Sequence, residues 1–140
     1  FDPATGVLTV APGTTTGVYT FGFTATNGVN PPANQPFTLT VGAAPAFTSA
    51  AAAAFEVGQA GTFAVAAGGF PAPTFAVAAG ALPAGVTLAP NGALSGTPAA
   101  AGTFPVTIRA TNGSGTADQT FTLTVGTRPA VTSPAAATFT

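Results

Sequence analysis

Residues 82–98 read LPAGVTLAPNGALSGTP, and the reading of this stretch decides the fold. Leu82, Val86, Leu88 and Leu94 are its apolar anchors. Between them lie Pro83, Gly85, Pro90, Asn91-Gly92 and Gly96-Thr97-Pro98, residue types that turn or end a backbone. The expected arrangement is a strand, a tight turn and a second strand. Asn-Gly can hold two successive residues at positive φ, so Asn91-Gly92 is expected to form the hairpin turn between Thr87-Leu88 and Ala93-Leu94. Gly96 and Pro98 then stop the second strand.

The same grammar extends outward. In residues 103–111 Phe104, Val106, Ile108 and Ala110 fall on one side and Pro105, Thr107, Arg109 and Thr111 on the other, the period of a half-buried strand. Asn112-Gly113-Ser114-Gly115 turns the chain, and residues 120–125 form a last strand with Phe121, Leu123 and Val125 inward. Upstream, residues 46–49, 55–57, 61–66 and 74–77 read as strands, the last two placing Phe63 with Val65 and Phe75 with Val77. Pro105 has no N–H to donate, which predicts a sheet edge or a bulge at that point. Residues 50–54 are five alanines, fewer than a helix needs, so a short loop or strand edge is expected there.

Internal repetition sets the organisation. Residues 37–42, FTLTVG, return as residues 121–126, an offset of 84 that also carries Pro45, Thr48, Ser49 and Phe55 onto Pro129, Thr132, Ser133 and Phe139. Gly6, Leu8, Pro12, Gly17 and Ala25-Thr26-Asn27-Gly28 match Gly92, Leu94, Pro98, Gly102 and Ala110-Thr111-Asn112-Gly113 at offsets of 85 or 86, as one-residue loop differences require. On this period residues 1–42 are the C-terminal half of one repeat, 43–126 a complete repeat of about 84 residues, and 127–140 the first strand region of the next. Half a sandwich leaves an apolar face and open strand edges, so the missing strands are expected from a longer tandem array or from a neighbouring chain. A neighbour's last 14 and first 42 residues together fall about 28 short of a repeat, which favours the array. Phe1, with no initiator Met or leader before it, reads as an internal or processed end.

The pattern LPxGxxL…GxLxGTPxxxGTFxVTxxATN, carried here by residues 82–112, resembles the immunoglobulin-like repeat of bacterial and archaeal surface proteins, a relative of cadherin-like and dystroglycan-type modules. The resemblance covers essentially the whole chain and implies an all-β fold of tandem immunoglobulin-like β-sandwiches. Related modules often bind calcium through acidic linkers, and here the sequence departs from them. Asp2 stands where the family often has an acid before its Pro-x-x-Gly turn, but the complete repeat has Ala89 there. The linkers Gly42-Ala43-Ala44-Pro45 and Gly126-Thr127-Arg128-Pro129 contain no acid. Calcium takes six to eight oxygens, several of them from carboxylates, so no calcium or other cofactor is expected.

Composition narrows the function. The chain has 46% hydrophobic and 4% charged residues, 12 Phe, 14 Pro and 18 Gly, enough apolar material for a core and many turns. Two basic residues cannot grip nucleic acid or an anionic lipid surface, and no apolar run approaches a bilayer span, so neither partner nor membrane insertion is expected. Without Cys, disulfides say nothing of compartment. There is no His, and the acids Asp2, Glu56 and Asp118 stand apart, so no catalytic, cofactor or metal residues are assigned and an enzyme is not expected. Asp118 reads as a solvated loop carboxylate before the last strand, and Glu56, in the 55–57 strand, likewise reads as a carboxylate without a functional role. Asn112-Gly113-Ser114 fits an N-glycosylation sequon but reads first as a turn, and most aromatics, Tyr19 included, read as core.

The leading functional expectation is a structural extracellular or cell-surface protein. Its neutral domains would stack end to end as a stiff spacer, filament or sheath and pack laterally through Thr and Ala faces, with copies of itself as partners, by strand complementation among other contacts. The alternative is an adhesin or a carbohydrate- or protein-binding accessory module, with a glycan partner engaged through loops such as Gly69-Phe70-Pro71 and Asn30-Pro31-Pro32-Ala33-Asn34.

Overall fold

A computed structural model describes residues 1–130, and every element among them is a strand. They are β1 (Gly17–Ala25), β2 (Ala33–Val41), β3 (Ala43–Phe47), β4 (Ala52–Glu56), β5 (Gly61–Ala64), β6 (Ala67–Phe70), β7 (Thr74–Gly80), β8 (Val86–Leu88), β9 (Ala93–Gly96), β10 (Gly102–Asn112) and β11 (Gly115–Gly126). The all-β class and the immunoglobulin-like fold expected from the pattern are what the chain adopts. The start of a further repeat expected at 127–140 lies mostly in residues 131–140, outside the described residues.

Residues 43–126 form a sandwich. One sheet has the order β4-β11-β10-β7, a second β5-β9-β8, and β3 pairs with β6. The sheets meet through alternating side chains: Phe63 of β5 stacks on Phe121 of β11 with ring centroids 5.4 Å apart, and Phe47 of β3 lies 6.1 Å from Phe75 of β7. The inward set of β10 and β11 is largely the one the alternation predicts. Val106, Ile108, Ala110, Phe121, Leu123 and Val125 are buried with Leu94, Val65, Phe75, Val86 and Phe55, while Phe104 is partly buried against them. Burying side chains of this size contributes about 1.5–3 kcal/mol each, the main favourable term for the domain.

Some local expectations are corrected, while those for residues 50–54 and for Pro105 hold. In the 82–98 hairpin Leu88 faces Leu94 as expected, but Asn91 does not adopt positive φ. Gly92 N donates to Ala89 O (2.9 Å), Gly92 alone has φ +88°, and Asn91 Oδ1 accepts from Ala93 N (3.1 Å). Pro90 presets the second position of a type I turn, so the loop closes as type I followed by a left-handed glycine instead of a two-residue turn. The final strand starts at Gly115 and not at residue 120, which places Asp118 in mid-ladder opposite Arg109. Residues 50–54 run into β4, an edge strand parallel to β11. The strand β6 (AGGF) was not foreseen, since two glycines erase the alternation. Pro105 lies in β10, an inner strand, but its pairing to β7 stops at Val106↔Gly80 and shifts between Thr107 and Ile108. A bulge and a ladder end therefore accommodate the missing N–H.

Residues 1–42 contribute a two-stranded sheet, β1-β2. Its register, Gly17↔Val41 through Ala25↔Ala33, reproduces Gly102↔Val125 through Ala110↔Ala117 position by position under the sequence repeat. No residue of 1–42 is buried. The aromatics expected in a core lie half-exposed or exposed, Tyr19 among them, because no second sheet covers them.

Candidate functional site

The five charged side chains are each occupied by a local partner. The Asp2 carboxylate accepts from the Thr5 hydroxyl (2.7 Å) and from Ala4 N (2.9 Å), and these hydrogen bonds, Thr5's first, hold its pKa below the ordinary value. It caps the turn in which Gly6 N donates to Asp2 O (2.9 Å), the counterpart, with one extra residue, of the Ala89–Gly92 turn. Arg109 makes two parallel bonds of 2.8 Å to Asp118, which lower the carboxyl's pKa and raise the guanidinium's. Arg128 donates to both oxygens of Glu56 (3.0 and 3.3 Å). Asp118 is thus a strand residue in an ion pair, which corrects its reading as a loop carboxylate, while Glu56 lies in a strand as expected and is ion-paired as well. The pair 109/118 could have been found from the sequence, because a Gly113-Ser114 turn puts those two residues opposite one another. Among the described residues there is no group of three or more His, Cys, Asp or Glu, and no helix long and apolar enough to cross a membrane.

A group of polar residues that joins distant parts of the chain gathers beside Ala43, where the two regions meet. Asn112 Nδ2 donates to Ala43 O and to Pro71 O, both at 2.8 Å, while Asn112 Oδ1 accepts from Ser114 N (2.9 Å). Ser114 Oγ donates to Phe70 O (3.1 Å). Both hydrogens of the Asn112 amide are used, so this residue serves as a turn and a clamp, in agreement with the turn reading of the sequon. Phe70, expected as a free loop residue, is instead held in β6 opposite Ala43. Two glycines make the junction possible. A Cβ on Gly69, which sits at φ +141°, would lie 3.0 Å from Asn112 Nδ2 and 3.2 Å from Pro45 Cα; one on Gly42 would strike Ser114 Oγ and come within 2.9 Å of Phe70 O.

The second candidate surface is the inward-type face of β1-β2. Phe1 packs on Phe23 (4.7 Å), Phe23 on Phe21 (5.4 Å) and Phe37 (5.5 Å), and Phe21 on Phe37 (5.3 Å). Phe1 is 60% exposed. Beside this cluster an open cleft of about 520 Å³ is lined by Phe1, Pro3, Phe23, Ala33, Asn34 and Gln35 among others. On the opposite face of the complete hairpin, threonines stand in cross-strand pairs, 103 with 124, 107 with 120 and 111 with 116, around the Arg109–Asp118 pair. That outer face is neutral by internal pairing.

A family model described as "Putative Ig domain" matches residues 44–126. No curated protein matches the chain. Among solved structures, a "putative alpha-galactosidase" from Bacteroides fragilis NCTC 9343 superposes with a TM-score of 0.54 at 22% identity, over 59% of this chain and 17% of that one. Immunoglobulin domains 1–5 of Sidekick-1 give 0.53 at 23% identity, over 79% of this chain and 25% of theirs. At these identities the likeness is one of fold, and the chain spans about a quarter or less of either protein.

Proposed function

From the premise that this chain belongs to the immunoglobulin-like domain family, we propose that it is a structural segment of an extracellular or cell-surface protein, a stiff spacer whose neutral sandwiches follow one another in tandem and pack side by side. The observation that carries this reading is the clamp at Ala43. Asn112 bonds Ala43 O across 69 residues of sequence and Pro71 O across 41, Ser114 closes on Phe70, and the chain at Gly42 runs so close to Ser114 and Phe70 that a Cβ there would strike them. Two hydrogen bonds from one amide to two backbone segments leave few torsions free at a short linker, and a short constrained linker transmits force and direction. At the other end of residues 43–126 Arg128 pairs with Glu56 at the surface, a weaker tie.

On this reading the chain does no chemistry of its own, its partners are further copies of the repeat, and it uses no cofactor and no calcium. Its three carboxylates are committed to a turn and two ion pairs, and it has no His or Cys to act as base, nucleophile or soft metal ligand. The test is a distance distribution between spin labels at Thr20 and Thr120. A narrow distribution that broadens in Asn112→Ala is expected; a broad one in the unaltered chain sinks the stiff-spacer reading. A second reading, a glycan- or protein-binding accessory module, draws on the cleft beside Phe1 and Phe23, where aromatic rings meet the amides of Asn34 and Gln35. Saturable glycan binding lost in Phe23→Ala would favour it.

A further inference from the structure

The chain contains, in its own second region, a picture of what covers the exposed face of its first. Under the sequence repeat Phe37, Leu39 and Val41 correspond to Phe121, Leu123 and Val125, and Tyr19, Phe21, Phe23 and Ala25 to Phe104, Val106, Ile108 and Ala110. The two hairpins share one register, so these residues point to the same side in both. In the complete repeat that side is covered by residues 43–96: Phe55, Val65, Phe75, Val86 and Leu94 join the buried core, Phe63 stacks on Phe121, β4 pairs along β11 and β7 along β10. The counterparts of 88–96 are residues 1–10 of the same chain, so the cover that the first hairpin lacks is the equivalent of residues 43–87. On β1-β2 the same side is open, and both outer edges are unpaired among the described residues.

The two faces differ in size. Where the complete repeat has Val106 and Ile108, the first hairpin has Phe21 and Phe23, and these rings already hold Phe37 at 5.3 and 5.5 Å. Phe37 is the position on which Phe63 stacks in the complete repeat. A covering segment that brought another phenylalanine to that place would overpack the layer, and overpacking forces side chains off their rotamers. We propose that the aromatic face of β1-β2 is the docking surface for a half-repeat equivalent to residues 43–87, one that carries a side chain smaller than phenylalanine at the position of Phe63. The repeats of such a protein are then not interchangeable halves: the Phe21–Phe23–Phe37 layer selects its own complement by volume. This holds whether the array serves as a spacer or as a binding stalk, since it concerns how one sandwich is closed.

The experiment uses the full chain extended by a copy of residues 43–87 placed ahead of Phe1, in three forms: the copy unaltered, the copy with Phe63→Ala, and the unaltered copy with Phe21→Val and Phe23→Ile in the hairpin. Hydrogen exchange is followed at the amides of β1 and β2, with the 43–126 sandwich of the same molecule as internal standard. The Phe63→Ala copy and the Val/Ile hairpin are each expected to slow exchange in β1-β2 by ~100-fold relative to the unextended chain, and the unaltered copy by clearly less. Equal protection by the unaltered copy would overturn the volume rule. No protection in any of the three forms would overturn the docking surface itself. Concentration-dependent protection in the unextended chain would overturn the proposed occupant in favour of a second copy of the hairpin.

Discussion

The hairpins β1-β2 and β10-β11 are the same piece of structure in two settings. Both run from a glycine to an Asx turn in one register, both alternate apolar and threonine side chains, and both end in the same TLTVG or FTLTVG segment. In β10-β11 Phe121, Leu123 and Ile108 are wholly buried, whereas their counterparts Phe37, Leu39 and Phe23 are only half-buried. Strand pairing and side-chain alternation therefore do not produce a core. A core needs the second sheet, β5-β9-β8, and residues 61–96 supply it to one hairpin only. The polar positions differ in the same way. Asn27 keeps the Asx hydrogen bond from Val29 N (3.1 Å) that Asn112 has from Ser114 N, but among the described residues no carbonyl accepts from the Asn27 amide nitrogen. Arg109 and Asp118 are replaced by Thr24 and Asn34, joined by a neutral hydrogen bond of 2.7 Å.

The sharpest break of this comparison is a charge at equivalent inward positions. Val106→Asp should abolish cooperative unfolding of the 43–126 sandwich or cost it about 4 kcal/mol or more, because a carboxylate there has no partner and no water. Phe21→Asp should leave that transition within about 0.5 kcal/mol of its original stability. Denaturant titration of the two variants decides the matter, and equal losses would mean that the hairpins are not energetically distinct.

A smaller contrast lies in the Asx residues. Asn112→Ala should cost about 1–2 kcal/mol, since Ala43 O and Pro71 O lose their donor, and Asn27→Ala should cost the sandwich nothing measurable. Thermal melts read both, and a silent Asn112→Ala would remove the clamp from the account of stiffness.

The smallest effect is in pH. The guanidinium of Arg109 holds the Asp118 carboxyl below its ordinary range. A carboxylate lowered on folding adds stability that is present above its unfolded pKa and lost as pH falls through the folded one. The melting temperature should be level from about pH 7 to about pH 5 and fall below about pH 4. In Asp118→Asn that fall should be shallower. Because the pair is exposed the difference is small, and moving the pair into the first hairpin as Thr24→Arg with Asn34→Asp should not affect the sandwich at all.

Much of this molecule was legible in advance because the signals are short-ranged. Alternation over residues 103–111 and 120–125 named the inward residues, and the 84-residue period located the equivalent hairpins. Where the local signal is weak, the structure departs from the pattern. Gly68 and Gly69 hid β6, Pro90 selected a different turn from the one Asn91-Gly92 suggested, and Asp118 read as a loop residue because its partner Arg109 lies nine residues away across a turn.

By itself the sequence determined the all-β class, the inward and outward faces of residues 103–111 and 120–125, and the equivalence of the two hairpins. A period of two and the chemistry of Gly, Pro and Asn act over a few residues and need no distant partner. Only the tertiary structure decided which of two near-identical faces becomes a core, and which polar side chains bind the pieces together. Burial requires a second sheet, and the bonds of Asn112 to Ala43 and of Arg128 to Glu56 close loops of 69 and 72 residues, separations at which no local pattern reports who the partner will be.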